Sequence, residues 1–293
     1  MKIGTLGLFT TTNGLTSAES IALARRAESL GYGALWLPEP PLGRNTMVQA
    51  AVLLQATHRV AVGTAVAVTY ARDPSAALGA QMGLAELSGG RFVLGLGVSH
   101  APSVEGVRKL DYSPKPVAAM RSYIEGMRAF TYPGVKPAET PPLMLAALGP
   151  AMTALARDLS DGVLAFNSVP SWTKEQRRIL GPGKVLAVEQ KVVRASSAEA
   201  VLPYARRTLE RYMALPNYLN NFRRQGYSDA DFANGGSDKL LLDLFAWGER
   251  AAIQARIDAH YAAGADHVYL SLIDPDDKRG APDDTLLEML APR

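Results

Sequence analysis

Eight short apolar runs, spread over the chain and separated by segments of helical period, constrain this sequence more than any other feature. They are "KIGTLGLF" (2–9), "ALWLPE" (34–39), "VAVGTAVAV" (60–68), "RFVLGLGV" (91–98), "PLMLAAL" (142–148), "GVLAFN" (162–167), "KVLAVEQKVV" (184–193) and "HVYLSLI" (267–273). Apolar runs alternating with amphipathic helices are the pattern of repeated βα units around a parallel sheet. With eight units the expected fold is α/β, a closed (β/α)8 TIM barrel in preference to an open doubly wound sheet. A length of 293 residues suits one such barrel, and residues 1–293 are expected to form a single domain.

The connecting segments carry helix punctuation. In "TSAESIALARRAESLG", Thr16 or Ser17 can cap, Glu19 or Ser20 sits in the first turn, and Gly31 stops the helix. "DPSAALGAQMGLAELSGG" repeats the pattern, with Pro74 at the start and Gly89-Gly90 at the end. Two connections are too long for a plain barrel: 99–115 after the fourth run, and roughly 203–248 between the seventh and eighth. Both follow a strand, so in a barrel they lie on the carboxyl-terminal face, where lids and binding loops belong.

Composition removes several classes of function. The chain has no cysteine, which excludes disulfides, thiolate metal sites and a Cys nucleophile. Lys+Arg 31 against Asp+Glu 28 leaves net +3, scattered except for pairs such as Arg206-Arg207 and Arg223-Arg224, and no nucleic-acid footprint emerges. The start "MKIGTLGLFTTTNG" shows no cleavage signal and no segment holds about 18 uninterrupted apolar residues, so a cytoplasmic protein without membrane contact is expected.

Of the four histidines, His58, His260 and His267 fall in the helical shell or at the amino-terminal end of a strand. Only His100 stands at a strand's carboxyl end, either as a polar loop residue or as a group in a pocket. No HxxxH or HExxH spacing occurs, and no metal site is expected. "GLGVSH" departs from a dinucleotide fingerprint, because His100 replaces its third glycine and "APSVEG" does not read as a helix start. Gly95 and Gly97 either fit the barrel interior or admit a flat ring. In "LAALGPAMTALARDLSDG" the fifth strand turns at Leu148-Gly149-Pro150 into a helix, which is a plain βα turn or an anion site made of free N–H groups and a positive dipole end. Glu39, in "LWLPEPP", is an acid/base, a cofactor contact or an ion pair; Trp36 reads as packing. No GxSxG, P-loop or DxD cluster supports a hydrolase or kinase.

"GYGALWLPE" and "SGGRFVLGLGVSH", in order with "VGTAVAV", "LAALGP", "LSDGV", "NYLNNFRRQGYSDADFANGGSDKLLLDLFAWG" and "AAGADHVYL", resemble the luciferase-like monooxygenase superfamily, within it the deazaflavin (coenzyme F420) dependent oxidoreductases of actinobacterial type. The resemblance implies a bacterial-luciferase-like barrel holding a tricyclic ring at its carboxyl face, with insertions after strands 4 and 7. It implies a cis peptide at Ala65-Val66 beneath the ring, ring contacts from Gly97, Val98, Ser99, His100 and the position of Glu39, a phosphate at Ala147, Leu148 and Gly149, and further cofactor contacts from Pro150 and Phe166. It further implies a homodimer. Deazaflavin relatives place a histidine beside the second-strand acid; here Pro40 stands there. The proton role then falls to His100, Glu39 or solvent. Asn217, Tyr218, Asn221 and Phe222 are expected to close over substrate, with Tyr227 and Phe232 as lid or packing. The expected function is hydride transfer between F420 and a small organic substrate. The alternatives are a monooxygenase using reduced flavin mononucleotide (FMN) and oxygen, and a cofactor-binding protein without turnover.

Overall fold

The computed structural model describes residues 1–274, 276–277 and 279–292. Its strands are β1 (Leu6–Phe9), β2 (Ala34–Leu37), β3 (Ala61–Thr64), β4 (Ala67–Val68), β5 (Phe92–Gly97), β6 (Leu143–Ala146), β7 (Gly162–Ala165), β8 (Val185–Val193), β9 (Phe245–Ala246) and β10 (His267–Ile273). The helices are α1 (Ser17–Ser29), α2 (Thr46–Ala56), α3 (Pro74–Leu87), α4 (Pro116–Ala129), α5 (Pro150–Leu159), α6 (Pro170–Leu180), α7 (Ala198–Met213), α8 (Pro216–Arg224), α9 (Asp238–Leu244), α10 (Arg250–Ala262) and α11 (Asp284–Met289).

All strand pairings are parallel, and β10 bonds to both β1 and β8, which closes β1, β2, β3, β5, β6, β7, β8 and β10 into an eight-stranded TIM barrel. Each run read from the sequence contains its strand, and 267–273 matches β10 from end to end. Residues 2–5 precede β1 instead of joining it, because Gly4 adopts φ +63°. The third run splits into β3 and β4 on either side of the Ala65-Val66 peptide, which is cis.

Side chains alternate along each strand between the barrel lumen and the helical layer, as the two-residue period requires. Ala34 and Trp36 of β2 face the lumen with Val93, Met144, Leu164, Ala187 and Tyr269, while Leu35 and Leu37 face the helices. Trp36 is the largest fully buried side chain, and its Nε1–H donates to His267 Nε2 at 2.9 Å. Room for it comes from Gly63, where a Cβ would overlap the indole ring. Gly95 is likewise a packing glycine: a Cβ there would overlap the Thr64 carbonyl and the Leu164 side chain.

The helix punctuation is realised. Thr16 caps α1 in a reciprocal box with Glu19 (Thr16 N to Oε2 2.7 Å, Glu19 N to Oγ1 3.2 Å). Asp73 caps α3 ahead of Pro74. The two long connections become insertions on the carboxyl face. The first holds a π-helical turn, Pro102–Val107, so the segment after His100 does turn helical, with the His100 carbonyl accepting from Ser103 and Val104 N at 3.0 Å. The second comprises α7, α8, a 3-10 stretch (Asp229–Gly235), α9 and β9, packed on their own apolar cluster around Leu209, Phe222, Leu240 and Phe245. Among the described residues no helix is long and apolar enough to cross a membrane.

Candidate active site

At the carboxyl ends of β4 to β7 the barrel opens into a cavity of about 540 Å³. Val66, Gly97, Val98, Ser99 and His100 form one wall; Leu148, Gly149, Pro150 and Phe166 form another. Asn217 and Tyr218 close it from the second insertion. A lining drawn from both insertions and from the turn between β6 and α5 is what the order of runs predicts of the carboxyl face.

The wall containing His100 is built by an abrupt turn. Ser99 takes φ +59°, a conformation rarely adopted by a side-chain-bearing residue, and so redirects the chain at the end of β5. His100 then packs 5.4 Å, centroid to centroid, from the Tyr218 ring. Burial holds its imidazole below the ordinary value, and a hydrogen bond with the Asn217 side chain works in the opposite direction. Burial also pushes the Tyr218 phenol well above its ordinary range, so it stays protonated at neutral pH.

The floor lies beside the cis peptide. Thr64 bridges the interruption, its Oγ1 accepting from Gly95 N at 2.9 Å and donating to Gly95 O at 2.7 Å. Val66 then points into the space that Gly97 leaves free, where a Cβ would overlap the valine side chain. Gly97 therefore accommodates Val66 and through it shapes the cavity floor.

At the far end stands the N-terminus of α5. Gly149 is its cap, no side chain caps it, and Pro150 supplies no N–H, which leaves the amides of Ala151 and Met152 facing the cavity. The Arg224 guanidinium sits beside this terminus, with Nη1 3.2 Å from where a Gly149 Cβ would lie. A cation and a helix N-terminus together suit an anion. Arg224 was missed in the sequence, where it reads as half of a surface arginine pair.

Several expected site residues lie elsewhere. Glu39 does not line the cavity; its carboxylate accepts from Val68 N at 2.6 Å and pairs through both oxygens with Arg72. With side chains 6% and 10% exposed, the two form a buried ion pair that anchors the backbone after the cis peptide, leaving no free acid/base there. Ala65 packs against the lumen cluster, and Ala147 is buried with its carbonyl accepting from Gln176 Nε2 at 2.8 Å; Ala146 lines the cavity instead. Phe222 is fully buried in the insertion's own core beside Phe232 and Tyr227. Asn221 is also buried, and both its amide atoms lack a hydrogen-bond partner among the described residues. Neither belongs to a lid over the cavity. Among the described residues no group of three or more His, Asp or Glu side chains is placed to hold a metal ion.

Comparison with known proteins agrees with the barrel. Residues 1–267 match the family described as luciferase-like monooxygenase. A Mycobacterium tuberculosis protein, provisionally named a coenzyme F420-dependent oxidoreductase, is 33% identical over 172 residues, 48% of this chain and 49% of the relative. The chain thus spans about half the length of the curated relatives it matches. The coenzyme F420 dependent tetrahydromethanopterin reductase of Methanopyrus kandleri superposes with TM-score 0.73 at 17% identity, covering 99% of this chain and 98% of the other. The oxygenating constituent of 3,6-diketocamphane monooxygenase from Pseudomonas putida, solved with FMN, gives TM-score 0.67 at 15% identity over 98% and 96% of the two chains. At such identities the two structures speak for the barrel alone. The match over residues 1–267 speaks for descent, and the chain belongs to the luciferase-like monooxygenase family.

Proposed function

We propose that the chain is an oxidoreductase that binds coenzyme F420 in the 540 Å³ cavity and passes a hydride between its ring and a small organic substrate. One observation carries this reading: a mostly apolar slot, floored by Val66 and walled by Val98, Leu148 and Phe166, runs into the uncapped N-terminus of α5 with Arg224 beside it. A flat ring with a phosphate-bearing tail matches that sequence of surfaces. The Ala151 and Met152 amides and Arg224 would hold the phosphate.

The cofactor, when bound, supplies the hydride chemistry. The protein's part is orientation, exclusion of water and one proton. His100, neutral because burial lowers its pKa, can accept a substrate hydroxyl proton on a ring nitrogen during oxidation and return it during reduction. Asn217 and Tyr218 hold that ring against the second insertion. The similarity to a protein provisionally named F420-dependent supports the choice of cofactor.

A second reading keeps the cavity and replaces the cofactor with reduced FMN, acting with oxygen. The same α5 terminus favours it, since one phosphate is all that terminus needs, and the FMN-bound structure of the same fold supports it. A third is binding without turnover. Parallel titration of the purified protein with oxidised F420 and oxidised FMN separates the first two by affinity, and absence of micromolar binding by either sinks both. Turnover of the tighter complex, compared with His100→Ala, separates catalysis from storage. We also place a homodimer in this reading: α2 has no charged residue, and Val48 is 58% exposed on it, a face a second copy would cover. Sedimentation equilibrium decides that.

A further inference from the structure

The inner face of α8 carries a hydrogen-bond donor that the fold leaves unspent. Pro216 opens this helix, and Tyr218 and Phe222, one turn apart, both point inward and are buried. Tyr212 packs edge-on against the Tyr218 ring at 4.6 Å, and His100, Phe222 and Phe166 flank it at 5.4, 6.4 and 6.5 Å. Aromatic packing, not a hydrogen bond, sets the orientation of the phenol.

A buried phenol ordinarily finds a polar partner, because an unpaired O–H forfeits the bond it made with water. The other buried tyrosines follow this rule. Tyr32 donates to Leu287 O at 2.9 Å, Tyr123 to Arg72 O at 2.9 Å, Tyr227 to Asp243 Oδ2 at 2.8 Å and Tyr269 to Ala165 O at 2.8 Å, while the Tyr212 hydroxyl accepts from Arg211 Nη2 at 2.6 Å. Tyr218, 7% exposed, has no hydrogen-bond partner among the described residues. Its hydroxyl is not sealed in, as the partnerless Asn221 amide is, and Tyr218 lines the 540 Å³ cavity, so the O–H borders that space. Burial keeps the phenol protonated at neutral pH, which makes it a donor there.

The charge of the lining narrows what this donor can meet. Among the described lining residues Arg224 is the one charged side chain, and it stands at the α5 terminus. Next to Tyr218 the wall is His100, Phe166 and Asn217, with the imidazole neutral because burial lowers its pKa. The charges beyond the Phe166 and Tyr212 rings are engaged: Glu189 with Lys191 at 2.5 Å, and Arg211 with the Tyr212 hydroxyl. A carboxylate or phosphate brought beside Tyr218 would lose its water without gaining a counter-charge, whereas an uncharged oxygen needs only a donor.

We infer that Tyr218 binds the substrate, its O–H donating to an uncharged carbonyl or hydroxyl oxygen, and that the substrate carries no charged group at this end. That the acceptor belongs to a substrate rests on the redox reading above; the unspent donor does not.

The test is Tyr218→Phe in the full chain, which removes the hydroxyl and keeps the ring. Urea unfolding of the ligand-free variant should match or exceed the wild type, whereas Tyr269→Phe, which cuts the bond to Ala165, should unfold earlier. Calorimetric titration then compares acetophenone with α-methylstyrene, in which a methylene replaces the carbonyl oxygen, and with benzoate. We expect acetophenone to bind the wild type most tightly, and Tyr218→Phe to weaken it about three- to tenfold, the range of a neutral hydrogen bond, without changing α-methylstyrene. The infrared carbonyl stretch of bound acetophenone should lie lower in the wild type than in the variant. Absence of acetophenone binding, equal affinity in the two proteins, preference for benzoate, or lost stability in Tyr218→Phe overturns the proposal. A loss for riboflavin as large as that for acetophenone also overturns it, by placing the acceptor on the cofactor ring. Wild-type titrations with F420 and FMN keep the two readings apart. Cofactor binding without the acetophenone response ends this inference alone, and the acetophenone response without cofactor binding ends only the redox reading.

Discussion

The His100 imidazole and the Tyr218 ring lie 5.4 Å apart, inclined at 50°, and through this contact the insertion after β5 closes against the insertion after β8. Tyr218 continues the contact to Tyr212 at 4.6 Å and to Phe166 at 6.5 Å, so one aromatic chain runs from His100 to the opposite wall at Phe166.

If His100 carries the proton, His100→Ala should lower turnover by about 100-fold or more while cofactor affinity changes by less than about threefold. Steady-state kinetics beside a cofactor titration measure the two separately. Unchanged turnover would remove His100 from the chemistry.

Arg224→Gln should weaken a phosphate-bearing cofactor by roughly 10- to 100-fold, the range for a charge-assisted hydrogen bond, and leave riboflavin, which lacks the phosphate, almost unaffected. Fluorescence titration with FMN and riboflavin reads this difference. Equal losses for both would show that Arg224 shapes the cavity instead of binding the anion.

Glu39→Gln breaks a buried ion pair and leaves Arg72 without its carboxylate, so we expect a loss of about 3–5 kcal/mol of stability in urea unfolding. The double change Glu39→Gln with Arg72→Met should recover much of it, because no uncompensated charge stays behind. A single variant as stable as the wild type contradicts the anchoring role.

Gly63→Ala should cost about 1–3 kcal/mol, because the new methyl overlaps the Trp36 ring in a closed lumen. Combined with Trp36→Phe the added methyl should cost less than it does alone, a coupling that a double-mutant cycle detects.

Acid should destabilise the fold through two buried histidines. Burial lowers His260 and His267 to about 4 from 6.5, and His267 uses Nε2 to accept the Trp36 N–H, which protonation forbids. Between pH 6.5 and 4 the unfolded chain binds protons that the folded chain refuses, so stability falls as pH drops through that window, by roughly 3 kcal/mol for each residue at its lower end. His267→Gln should flatten the profile; an unchanged slope would falsify the assignment.

Short-range signals in the sequence carried the barrel. Eight apolar runs, a capping box at Thr16 and Glu19, Pro74 after Asp73 and the Gly149-Pro150 turn each act over a few residues, so the strands, the helix starts and the carboxyl-face position of His100 follow without knowledge of the fold. Partners distant in the chain were decided only by tertiary packing. Glu39 meets Arg72 33 residues on, and Trp36 meets His267 231 residues on, contacts that no local pattern encodes. Phe222 and Asn221 turn into the insertion's own core because that cluster needs an inner face, and Arg224 reaches Gly149 because α8 lies against the turn between β6 and α5. Lys191 is a charge inside the apolar run 184–193. Closure of the barrel turned alternate residues of β8 inward, and burial then required that charge to find Glu189 and Asn167.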